Sequence, residues 1–259
     1  MLLIDYYAYS NKLSSVHPGE KFIFFVITVT ICLGLNSPLT SLAVVLLTGA
    51  TVILLARVPW RVYLKLMLIP VSFLVVGVLT VAITFTKGGG EFIWAVQLGS
   101  ITAGVTPGGL ELAAKMFLRS LGAVSCLYFL ALTTPVTQMV GILRWLRIPS
   151  LVIELIVLIY RFIFILLETA GRIFTAQSSR LGYRNIRTGY HSFSQLVLSL
   201  FVKSYRQSQA VYDSLLSRCY DGRLNFVEAQ YRWSWVNIAL IIAADSAVTA
   251  CWLIAGGYK

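Results

Sequence analysis

The stretch LVIELIVLIYRFIFILLETAGRIFT, residues 151–175, decides the fold, because hydropathy alone makes it a membrane span while the charges inside it argue otherwise. Glu154, Arg161, Glu168 and Arg172 follow at spacings of 7, 7 and 4, which places all four on one helical face. If the stretch crosses the bilayer, the basic residues divide 8 inside and 12 outside, with Arg161 left within the lipid. If it does not cross, the division is 17 inside and 4 outside. Lys and Arg collect on the cytoplasmic side of membrane proteins, so the second arrangement is strongly preferred. Leu151 to Thr175 is therefore expected to lie in the membrane plane or in a groove, as part of a helical layer that continues through a basic stretch to Arg232.

The surroundings fit a chain whose solvent is largely lipid. Hydrophobic residues make up 58% of the 259, and the mean hydropathy is +0.82, beyond what a soluble core of this size needs. A net charge of +11 in so apolar a chain points to cytoplasmic loops beside anionic lipid and away from nucleic acid. The charge-free run from Phe22 to Ala56, broken at Asn36-Ser37-Pro38, reads as a hairpin of two short spans. Leu66 to Thr86 makes a third span. After an outer loop with Gly88-Gly89-Gly90 and Pro107-Gly108-Gly109, Met116 to Leu132 makes a fourth, and Trp235 to Ala255 is the last.

The expectation is an all-α integral membrane protein of about five transmembrane helices plus a cytoplasmic layer of amphipathic helices. Residues 1–133 hold the first four spans, 134–232 the layer, and 233–259 the final span. Trp60, Trp145, Trp233 and Trp235 then fall at the inner interface, and Trp94 and Trp252 at the outer. A second layer helix is expected from Ser192 to Ser217, with Leu196, Leu200, Val211 and Leu215 on one stripe. Ala239, Ala243 and Ala247, four residues apart in the last span, allow a close helix approach or ordinary packing within the bundle.

The residue patterns of catalysis are absent from the sequence: no GxxxxGK[ST] phosphate loop, no HExxH, no GxSxG, and no paired Asp-rich motif. The two histidines, His17 and His191, are far apart, and the four cysteines are scattered, so no metal site or resident cofactor is expected. If ATP drives this protein, another chain binds it. Asp245 is the one acid deep in a span. A self-sufficient secondary transporter or channel using Asp245 and Arg161 is the alternative that this leaves open.

Two pieces of the layer resemble each other, Ala176-Gln-Ser-Ser-Arg180-Leu-Gly-Tyr183 and Asp213-Ser-Leu-Leu-Ser-Arg218-Cys-Tyr-Asp-Gly222. Snorkelling to lipid phosphate explains a lone arginine as well as docking does. Two like helix ends 38 residues apart suit a surface that meets two similar partners.

From these triplets, with Asp5, Tyr7-Ala8-Tyr9, Asn11, His17-Pro18-x-Glu20-Lys21, Thr133-Thr134-Pro135, Leu146-Arg147-Ile148-Pro149, Tyr160-Arg161-Phe162, Glu168 and Arg172, the chain resembles the CbiQ-type T components of energy-coupling factor transporters. The resemblance implies a non-catalytic scaffold joining two ATP-binding subunits of ABC type to a CbiM-like membrane substrate-binding subunit, for cobalt, or nickel, uptake. It also implies a bacterial inner membrane, in which the charge count over five spans puts the N-terminus inside and the C-terminus outside. In that family X-Arg-X triplets, often Ala-Arg-Gly, end two coupling helices and dock into the ATPases. Here they correspond to Ser179-Arg180-Leu181 and Ser217-Arg218-Cys219, with Glu154, Arg161, Glu168 and Arg172 as a supporting polar face.

Overall fold

A computed structural model of the chain describes residues 3–35, 37–86, 94–98, 101–105, 107–220, 231 and 233–254. Gly88-Gly89-Gly90, Asp221, Gly222 and Arg232 lie outside the described residues. The chain is an all-α, multi-pass membrane protein that divides into two units, Leu2–Pro135 with Gln230–Lys259, and Val136–Ala229.

In the first unit, α1 (Leu3–Ser10) leads through a 3-10 turn to α2 (Pro18–Gly34) and α3 (Pro38–Ala50), which runs on as a π turn over Thr51–Leu55. α4 (Trp60–Ala82), α5 (Pro107–Thr133) and α9 (Trp235–Ile254) complete the bundle. Pro18 and Pro38 each open their helix, where the missing amide hydrogen costs nothing and the fixed φ is already helical. The segments Pro38–Leu55, Trp60–Val81 and Gly108–Thr133 are long and apolar enough to span a bilayer, and Trp235–Ala250 is a shorter apolar helix.

α5 is the central element, packing against α1, α2, α3 and α4, while α9 packs on α2 and α3. Phe24, Val52, Tyr63, Met67, Phe129 and Leu132 form the larger core. Cys32, Val44, Cys126 and Val248 form a second cluster. A Cβ on Gly122 would come within 2.5 Å of Cys32 Sγ, so only glycine lets α5 approach α2 this closely. Asp245 is buried, and its Oδ1 accepts from Thr28 Oγ1 at 3.0 Å. Thr48 and Ser125 hydroxyls bond across α3 and α5 at 2.9 Å. Ala239, Ala243 and Ala247 are exposed, so the close-packing stripe is not used inside this bundle.

Two expectations fail between the third and fourth spans. Pro107-Gly108-Gly109, read from sequence as loop, is the first turn of α5, because a proline at the first helical position outweighs the glycines. The remaining connector is not plain loop either. β1 (Ile83–Thr86), β2 (Trp94–Leu98) and β3 (Ile101–Val105) form an antiparallel sheet in the order β1-β3-β2. Alternating β-branched and aromatic residues favour strands even next to glycine-rich sequence.

The second unit contains α6 (Val136–Trp145), α7 (Ser150–Ser179) and α8 (Ile186–Leu216). α7 meets the length and hydropathy of a span, yet α8 is bonded along it. Gln177 Nε2 donates to Ser192 O at 2.9 Å, Lys203 Nζ to Thr169 Oγ1 at 3.2 Å, and Tyr220 OH to Glu154 Oε2 at 3.0 Å. These pairs run in opposite sequence directions, so α7 and α8 form an antiparallel hairpin. Leu196 of the expected stripe is buried, and Leu200, Val211 and Leu215 are half-buried. α8 starts six residues before the expected Ser192, because Asn185 and Thr188 form a reciprocal capping box.

Candidate functional site

α7 and α8 end in the same way. After α7, the Leu181 amide donates to Ser178 O at 3.0 Å and the Gly182 amide to Gln177 O at 2.9 Å. After α8, the Cys219 amide donates to Leu216 O at 3.0 Å and the Tyr220 amide to Leu215 O at 3.0 Å. Such a pair is a Schellman turn, which bonds carbonyls that a helix end leaves open and needs one residue in the left-handed region. Leu181 (φ 57°) and Cys219 (φ 59°) occupy that position. Arg180 and Arg218 precede it, and Ser179 and Ser217 each return a hydroxyl bond to the carbonyl four residues back, Thr175 at 3.0 Å and Asp213 at 2.9 Å. The repeated sequence is a repeated backbone. α6 also ends in this turn, but with Arg147 itself at φ 58°, one residue out of register with the other two.

Local packing fixes each end. At the first, Tyr183 OH donates to Gln177 Oε1 at 2.8 Å, Ser192 Oγ to Gly182 O at 2.9 Å, and the Tyr183 ring lies 4.9 Å from that of Phe174. At the second, Tyr220 carries the bond to Glu154. Arg180, Leu181, Arg218 and Cys219 are all exposed. The turn has already bonded the last carbonyls, which leaves each guanidinium available to fork onto a partner's carboxylate or carbonyls. α8 separates the two ends by about 45 Å at 1.5 Å per residue.

The supporting polar face divides in two. Glu154 is buried against Tyr220, whereas Glu168 and Arg172 are exposed and pair with each other, and Arg161 is exposed. The four share a face, but only Glu154 braces an arginine end.

A left-handed conformation costs a side chain with a Cβ roughly 1–2 kcal/mol, while glycine loses about 0.4–1 kcal/mol through a freer unfolded chain. Strain is the larger effect. Leu181→Gly and Cys219→Gly should each raise the stability of the hairpin by about 0.5 kcal/mol, seen as a higher melting temperature of the purified protein. A lower one would show that these side chains make contacts outweighing the strain.

A second constellation, to which sequence reasoning gave no role, lies in the bundle. Glu20 and Lys21, 1% and 3% exposed, open α2. Lys21 Nζ donates to Thr133 O at 2.9 Å, at the C-terminus of α5. Glu20 accepts from the Ser234 amide at 2.7 Å and from Asn237 Nδ2 at 2.8 Å, at the N-terminus of α9. Asn11 Nδ2 lies 3.1 Å from Leu132 O and 3.4 Å from Thr133 O. Beside them His17 caps α2 by accepting from the Gly19 amide at 3.0 Å, its ring 4.8 Å from that of Trp233 and edge-on to it. Opposite charges starting an apolar helix were the available signal.

No cluster of three metal-ligating side chains occurs among the described residues. These elements define the class of protein, an integral membrane protein built from helices that are long and apolar enough to span a bilayer. The family model described as CbiQ, cobalt transport protein, matches residues 9–228, and the chain belongs to that family of energy-coupling factor transmembrane components. The cobalt transport protein CbiQ of Salmonella typhimurium is 30% identical over 85% of this chain and 97% of its own length. A Methanocorpusculum labreanum protein, whose name describes a fused cobalt transport protein CbiMQ, is 35% identical over 88% of this chain, which spans only 38% of it. The energy-coupling factor transporter transmembrane protein EcfT of Ruminiclostridium cellulolyticum is 25% identical over 95% and 92% of the two chains.

Proposed function

We propose that this chain is the scaffold of an ATP-driven cobalt importer, joining two cytoplasmic ABC-type ATPases to a CbiM-like membrane subunit that binds the metal. The observation that carries this reading is the pair of matching arginine ends, Arg180 and Arg218, at opposite ends of α8. A pair of similar ATPases calls for two similar sockets, and a rigid helix sets the distance between them. Cobalt is favoured over nickel by the names of the relatives, and a CbiM-like partner by the fused CbiMQ name.

In this reading α7 lies in the membrane plane. α8 runs alongside it with Arg187, His191, Lys203, Arg206 and Asp213, and would be drawn into the lipid if α7 crossed. The arrangement keeps the basic excess inside, with the N-terminus on the same side of a bacterial inner membrane. The exposed Arg184, Arg187 and Arg206 of the layer are then available to anionic lipid. ATP hydrolysis belongs to the partner chains.

Purification from the native membrane tests the proposal. Two ATP-binding chains and one further membrane chain should accompany this one, and cobalt uptake into vesicles should need all of them together with ATP. Uptake by this chain alone would overturn it.

Asp245 separates this reading from a self-sufficient transporter. Its Oδ1 accepts from Thr28, a role an amide oxygen also fills. Asp245→Asn should therefore keep cobalt uptake within about twofold of wild type. A loss beyond about a hundredfold, with normal insertion, would place the acid on a transport path.

A further inference from the structure

The chain leaves the membrane bundle after Pro135, and Tyr231 is again part of it. Those two crossings are the covalent roots of the helical layer, and each is held within the bundle by the same pair of adjacent residues. Lys21 bonds Thr133 O, two residues before the exit. Glu20 bonds the Ser234 amide and Asn237 just after the return. Neighbouring residues on a helix point in directions about 100° apart, so one dipeptide can reach two different elements.

The charges match what they touch. A helix C-terminus carries partial negative charge and an N-terminus partial positive charge. The ammonium of Lys21 meets the carbonyl end of α5, and the carboxylate of Glu20 meets the amide end of α9. His17 adds to the return root, its ring edge-on to Trp233 at 4.8 Å and to Tyr231 at 6.3 Å. A Cβ on Gly19 would lie 3.1 Å from the Trp233 ring, so the approach is tight.

Buried charge is an expensive way to gain stability, since apolar replacements of similar volume are often as stable. What a buried, bonded charge supplies is a defined position. We infer that Glu20 and Lys21 are positioning residues that staple both roots of the layer, the end of α5 and the start of α9, to α2, so that displacement of the layer moves the bundle instead of being absorbed in the connections. The inference rests on the scaffold reading above and adds to it the site at which motion enters the membrane helices.

The experiment uses the complete complex in liposomes, with cobalt(II) supplied on the side opposite ATP, and counts cobalt imported per ATP hydrolysed. Glu20→Gln and Lys21→Met complexes should hydrolyse ATP within about twofold of wild type while importing about tenfold less cobalt per ATP. A purely structural role would lower the amount of assembled complex and leave that ratio unchanged, which would overturn the inference. If neither variant assembles, hydrogen exchange on the wild-type complex decides. Amides of residues 19–24 and 233–238 should stay equally protected with and without trapped nucleotide, and loss of protection there would overturn the staple. Absence of ATPases from the wild-type preparation would refute the scaffold reading itself, whereas normal ATPase content with an unchanged ratio refutes only the staple.

Discussion

Reversing both arginines, Arg180→Glu with Arg218→Glu, is expected to abolish co-purification of the ATPases and ATP-dependent cobalt uptake while leaving the protein inserted. Both side chains are exposed, and the turns they sit in are closed by backbone amides, so neither reversal removes a bond that holds the fold. Buried interface arginines rank among the most costly residues to truncate, at about 2–4 kcal/mol, and reversal adds repulsion against the same carboxylates. Each reversal should weaken its own socket by at least about 100-fold.

The single variants should be much milder than the double. With one socket intact, the paired ATPases stay tethered, and the second contact forms at an effective concentration in roughly the millimolar range. Arg180→Glu alone or Arg218→Glu alone should lower recovered ATPase severalfold, and the double should lower it below detection. Full recovery and uptake in the double variant would remove the arginine ends from the docking site.

Much of this site is legible in the sequence, because its signals are local. Ser-Arg followed by a small residue and tyrosine is a run of neighbours, and a Schellman turn is built from neighbours. The charged face of α7 is also visible as spacing, but its division is not. Glu154 is covered because Tyr220, 66 residues later, folds back onto it. The capping box that starts α8 at Asn185 is a readable signal too, masked by the longer apolar stripe that begins after it.

The staple is illegible for a related reason. Lys21 and Thr133 are 112 residues apart and Glu20 and Ser234 are 214 apart, so nothing periodic links them. Asn11, His17, Glu20, Lys21 and Thr133 carry part of the family resemblance, yet their convergence exists only in three dimensions. The glycine-rich connector misleads the other way. Composition favours loop, while alternation within Ile83–Thr86 and the pairing it finds with Ile101–Val105 make a sheet.

Gly182→Val should reproduce the single Arg180 reversal without touching a charge. A Cβ at position 182 would lie 2.7 Å from Ser192 Oγ and 2.9 Å from the Gln177 carbonyl oxygen. The hydroxyl can rotate away, but the carbonyl is backbone and accepts the very bond from the Gly182 amide that closes the turn. Relief requires the end of α7 to open, at a cost of about 1–3 kcal/mol for an overpacked position. Arg180 then leaves the geometry it shares with Arg218, while the membrane bundle, a separate unit, is untouched. Gly189→Ala is the matched control. Its Cβ would meet only Tyr183 Cδ1 at 3.6 Å, an ordinary contact, so the change should stabilise α8 by about 0.5–1 kcal/mol and leave ATPase recovery intact. If Gly182→Val acts through Arg180, the two changes are not additive, and Gly182→Val with Arg180→Glu recovers as much ATPase as Arg180→Glu alone. Combined with Arg218→Glu, Gly182→Val should instead lose the ATPases altogether. Additive loss in the first pair would mean that the valine damages something other than the arginine's position.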